Sequence, residues 1–190
     1  LKKQLNMLEK QRPQLVEMKK MMDEQFAPGG PMEELRNTRD EIVKGITLLD
    51  ETIAAVEALK GQLENCNEQL TTLNEQLAQL PEDSEEAVKI KTSISEIETM
   101  ISEIQLQLSM IEEQAGTYEE LLLQREGAKA GLEQFDKQVI DGFSELNKSG
   151  LIKISKFEDI FKIPDALDEA VKQMDDGIKQ MEDALIMLSE

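Results

Sequence analysis

The chain has 190 residues, with 40 acidic against 21 basic side chains, a formal charge of −19 and no histidine. That balance lacks the clustered Lys and Arg that phosphate binding needs, so nucleic acid is not an expected partner, and an anionic lipid surface would repel the chain. Aromatic residues make up only 3% and there is no Trp, too little to fill a core several layers deep. The bias toward Leu, Ile, Glu, Gln and Lys is that of exposed helices, each burying one stripe.

The first segment, residues 1–26, carries Leu1, Leu5, Leu8, Leu15, Met22 and Phe26 at heptad spacing, with Arg12 and Lys19 as charged interruptions of the stripe. Pro13 removes one helical hydrogen bond and predicts a kink or a restart near Arg12. Met18, Met21 and Met22 read as adaptable core filler in preference to a partner groove, since Met22 lies on the stripe while Met18 and Met21 flank it. Residues 27–31, Ala-Pro-Gly-Gly-Pro, stop any helix and are expected to form a hinge.

Residues 32–132 are expected to form a coiled-coil hairpin. Ile42, Ile46, Leu49, Ile53 and Val56 lead, through a slip of phase before Leu59, into Leu63, Cys66, Leu70, Leu73, Leu77 and Leu80. A proline at 81 and caps at Asp83 or Ser84 predict a turn near 81–84. The return arm reads Ile90, Ile94, Ile97, Ile101, Ile104, Leu108 and Ile111, continues through Ala115, Tyr118 and Leu122, slips phase near Arg125 to Ala128 and resumes with Leu132. Gly127 and Gly131 mark its weakest part. Equal counting from the turn would place residues 125–131 beside 38–32.

Residues 133–164 form the joint. Ser149-Gly150 should end the return arm, and 151–163 fit a short strand, a helical turn or both. Four of the five phenylalanines, Phe135, Phe143, Phe157 and Phe161, fall here and predict a small hydrophobic knot. They are the candidate interaction residues, either a plug closing the joint or an exposed docking patch. A last helix from about Asp165 carries Leu167, Val171, Met174, Ile178, Met181, Leu185 and Leu188 in heptad phase. Pairing it antiparallel with residues 1–26 buries both stripes. The fold class expected is therefore all-α: an elongated antiparallel coiled-coil hairpin, a second terminal helix pair (1–26 with 165–190) and a small joint.

Chemistry is thinly represented. Without histidine, no Ser, Thr or Cys has a base at a useful spacing, and no enzymatic activity, catalytic residue, cofactor, metal or small-molecule ligand is expected. Asp175-Asp176 and Glu182-Asp183 read as solvated acidic pairs, and Cys66 as a small buried hydrophobe. The longest apolar run, residues 184–188, is far short of the roughly 20 residues of a membrane span.

The tandem repeat Lys172–Leu185, KQMDDGIKQMEDAL, places Met174, Gly177, Met181 and Ala184 in successive heptads. It resembles the Leu-x-x-Gly-type heptads of extracytoplasmic regions in bacterial membrane proteins, although Met stands for Leu and Gly occurs in only one of the two repeats. The arrangement is similar to the long helical insertion of FtsX-like ABC transporter permeases. That resemblance implies a piece of a larger protein, flanked by membrane spans, on the extracytoplasmic face of the membrane, working through a protein partner or self-association. A cytosolic scaffold or chromosome-organising rod, and a secreted binding module, are the competing expectations.

Overall fold

The computed structural model describes residues 1–189 as seven α-helices, with no strand among them. They are α1 (Lys2–Gln25), α2 (Pro31–Ala78), α3 (Glu85–Ala115), α4 (Tyr118–Asp141), α5 (Ser144–Lys148), α6 (Phe157–Ile160) and α7 (Ile163–Ser189). The chain is thus all-α, built of an antiparallel helical hairpin and a terminal helix pair. It divides into two units, one of residues 1–42 with 131–190 and the other of residues 43–130.

In the first unit α1 and α7 pack side by side. The charges that interrupt the α1 stripe explain their register: Arg12 donates to both carboxylate oxygens of Asp175, and Lys19 Nζ lies 2.9 Å from an oxygen of Asp168. Going from 12 to 19 on α1 moves from 175 to 168 on α7, so the helices are antiparallel. Contrary to the expected restart, α1 runs without interruption across Pro13. Pro13 lies on an exposed face, where the carbonyl one turn back that loses its amide donor is open to solvent, and the seam against α7 holds the helix on both sides. Pro31 opens α2, where its fixed φ and missing N–H cost nothing, and Glu33 accepts a bond from the Gly29 amide.

The second unit contains the hairpin. Ser84 caps α3, its hydroxyl oxygen accepting from the Ala87 amide at 3.2 Å, with Glu85 and Glu86 against the positive end of the helix. The core here is Ile53, Val56 and Leu121, packed with Leu108 and Ile111 from α3 and Tyr118 and Leu122 from α4. Cys66 is buried on the same α2 stripe.

The return arm is not continuous. It breaks at Gly116, which has φ 109 and ψ 173, a conformation open in practice only to glycine. Thr117 then caps α4: its hydroxyl accepts from the Glu120 amide at 3.2 Å, and Glu120 reaches back to the Thr117 amide at 3.3 Å. This restart sets α4 on α2 differently from equal counting. Arg125 lies 3.5 Å from Asp50, Lys129 lies 3.9 Å from the same carboxylate, and Tyr118 donates to Glu57 at 2.7 Å. Residues 125 and 129 therefore meet residue 50, not 32–38, because the end of α3 and the start of α4 share the same stretch of α2. Nor do Gly127 and Gly131 break α4.

Candidate interaction site at the aromatic knot

The irregular chain after α5 is held by side chains that imitate backbone pairing. Asn147 accepts from the Ile154 amide at 3.0 Å and donates to the Ile154 carbonyl at 3.2 Å. Ser149 donates to the Leu146 carbonyl as the chain turns through Gly150, whose φ is +81. Of the alternatives open at 151–163 the structure takes the helical turn and no strand: residues 150–156 are irregular and α6 is a single helical turn.

Asp159 fixes that turn. One of its oxygens accepts from the Ser155 amide (3.0 Å), the Ser155 hydroxyl (3.1 Å) and the Lys156 amide (3.2 Å), while Lys162 Nζ approaches the other at 3.3 Å. Those donors, led by the Ser155 amide, hold the carboxyl well below the usual carboxylate range against the opposing effect of burial. The short helix so anchored presents Phe157, Ile160 and Phe161 to the core, where Ile160 and Ile163 are wholly buried.

The four predicted phenylalanines are brought together, but not by direct contact alone. Phe135 lies 6.2 Å from Phe157 between ring centroids, and Phe157 lies 5.4 Å from Phe161. Phe161 reaches Phe143 only through Phe26, which meets Phe161 edge-on at 5.7 Å and Phe143 at 6.4 Å. Phe26, at the end of α1, was the member sequence reading left out. Its heptad position gave the signal, since it closes a stripe whose α7 partner begins beside the knot. Two guanidiniums cover the rings: Arg36 stands 4.2 Å from the centroid of Phe161 and Arg39 4.8 Å from that of Phe157. Arg39 is at the same time bound bidentately to Asp136, at 2.8 and 3.1 Å.

Phe157 is buried, whereas Phe26, Phe135, Phe143 and Phe161 are only partly covered. Phe135 and Phe143 show an edge to a groove of about 510 Å³ between the end of α1, the start of α2 and the end of α4. Apart from Gln25 and Gln138, its walls are apolar side chains and the backbone of Gly142. What this region offers is apolar surface, ring faces and fixed cations; it sets out no nucleophile with a base.

No family model, curated protein or solved structure matches the chain. Function has to be argued from these residues.

Proposed function

We propose that this chain is a non-enzymatic helical spacer and interaction arm of a bacterial membrane protein, the extracytoplasmic coiled-coil insertion of an ABC transporter permease. The observation that carries the reading is the register of α1 on α7. Arg12 with Asp175 and Lys19 with Asp168 set residues 1–5 beside residues 182–186, so the chain enters and leaves the terminal pair at one end. An insertion between two membrane spans requires that geometry. The Met174–Ala184 heptads carry the resemblance to extracytoplasmic regions, and long polar-faced helices suit reach and contact more than chemistry. No helix among the described residues is long and apolar enough to cross a membrane, so the spans this reading needs would lie in flanking sequence. Cysteine-accessibility mapping of the gene product in intact cells tests it. Labelling of a Glu113→Cys variant by a membrane-impermeant maleimide is expected; labelling only after lysis would overturn the extracytoplasmic assignment.

A further inference from the structure

The terminal helix pair has two unlike sides. On α1, the residue just before each member of the seam stripe belongs to a second heptad stripe, Gln4, Met7, Gln11, Gln14 and Met18, in which no side chain is charged. The same step back from the seam on α7 gives Gln173, Gly177, Gln180, Ala184 and Met187, again uncharged. Because α1 and α7 are antiparallel, both stripes fall on one side of the pair. Contacts across the seam mark that side: a Cβ on Gly177 would stand 3.8 Å from Leu8 Cδ1, while Arg12 with Asp175 and Lys19 with Asp168 close the other side. Met7 is 58% exposed and Met187 76%, so both thioethers stand in water. A second stripe about 100° round from the first suits a helix with two neighbours, as in a four-helix bundle.

Charge selects the neighbour. The outer border of the α1 stripe carries Lys3, Lys10 and Glu17, and that of the α7 stripe carries Asp183, Asp176 and Glu169, all exposed. Farther round lie Asn6, Pro13 and Lys20 on α1, and Lys172, Lys179 and Ile186 on α7. A second copy turned about a two-fold axis along the pair sets α1 of one copy on α7 of the other, at the level of the native seam. Lys3 then meets Asp183 and Lys10 meets Asp176, each twice by symmetry, and Glu17 against Glu169 is the one like-charged border pair. Stacking α1 on α1 and α7 on α7 would instead oppose the acidic α7 border to itself. Among the described residues, none of Lys3, Lys10, Asp176 and Asp183 joins an ion pair within the chain.

We propose that the uncharged side of the α1–α7 pair is a homodimer interface, which closes a four-helix bundle with a second copy of this chain. Over about 15 residues, or about 22 Å, and the width of two helices, about 20 Å, it covers roughly 450 Å² of each copy. That is smaller than a standard interface, so the dimer is reversible. The interface stands whether or not the chain is an insertion in a membrane protein.

Sedimentation velocity of the 190-residue chain at physiological salt tests it. A monomer–dimer equilibrium with a midpoint on the order of 10 μM is expected. Met7→Glu and Lys10→Glu should each weaken it about tenfold, and the swap Lys10→Glu/Asp176→Lys should restore it. Glu17→Lys removes the like-charged pair and should tighten the dimer severalfold. All four positions are exposed, so these variants fold, which circular dichroism verifies. A chain that stays monomeric up to about 1 mM overturns the proposal. So does a dimer indifferent to Met7→Glu, or one in which the swap fails to rescue Lys10→Glu. A dimer that Glu17→Lys weakens would set α1 antiparallel on α1 of the copy, where Glu17 meets Lys10, and would overturn the pairing with α7.

Discussion

Arg39 grips Asp136 with two parallel hydrogen bonds, 2.8 Å from Nε and 3.1 Å from the terminal nitrogen, while its guanidinium plane covers Phe157. Both partners are about three-quarters covered, with side-chain exposures of 22% and 23%, so this pair is screened less than a surface bridge. It ties α2 to α4 at the knot. Replacing Arg39 by Met strands the carboxylate and removes the cation from the ring, and should cost about 1–3 kcal/mol in urea unfolding. The double variant Arg39→Met/Asp136→Leu should recover part of that loss, because no charge is left uncompensated. A double variant as unstable as the sum of the two singles would show that the residues act independently.

The α1–α7 register rests on Arg12 with Asp175 and Lys19 with Asp168. Arg12→Asp places two carboxylates face to face and should lower the melting temperature by a few degrees, and the swap Arg12→Asp/Asp175→Arg should restore it. The penalty should shrink in high salt, since both residues are exposed. A swap that fails to rescue would mean the stripe alone sets the register.

Asp159 makes the knot acid-sensitive. Its carboxyl titrates well below the usual carboxylate range, chiefly because the Ser155 amide, and then the Lys156 amide and Ser155 hydroxyl, bond the ionised form. A folded value below the unfolded one, about 3.9, gives stability that is complete above that pH and is lost as pH falls toward the folded value. Asp159→Asn lacks this contribution throughout. The gap in urea midpoint between the native chain and Asp159→Asn should therefore be widest near pH 7 and narrow below about pH 4. A gap unchanged down to pH 2 would be inconsistent with the role assigned to the carboxylate.

Two glycines should respond to alanine with opposite signs. At Gly116 the φ of 109 strains any side chain, and Gly116→Ala should destabilise by about 1–3 kcal/mol. At Gly177, inside α7, a Cβ would meet only Leu8 Cδ1, at an ordinary 3.8 Å. Gly177→Ala should stabilise by about 0.5–1 kcal/mol through helix propensity. Thermal unfolding of both variants decides this; a destabilised Gly177→Ala would show that the seam needs the glycine itself.

The heptads by themselves determined the all-α class, the hairpin turn at Ser84 and the terminal pair, because helix periodicity and capping depend on residues three or four apart in sequence. The break at Gly116 was legible too, in Thr117-x-x-Glu120, but Ala115, Tyr118 and Leu122 keep heptad spacing through it and masked the signal. Phe135, Phe143, Phe157 and Phe161 were found from their crowding in sequence. Only the tertiary structure decided that Phe26 completes them, that Asp159 and Asn147 hold residues 150–159 without a strand, and that Asp50 meets Arg125. The Phe26 and Asp50 contacts join side chains tens of residues apart, and their energies depend on which stripes meet, a property of the packed chain that no local window contains. The Asn147 and Asp159 bonds span only three to seven residues but follow no helical or strand period.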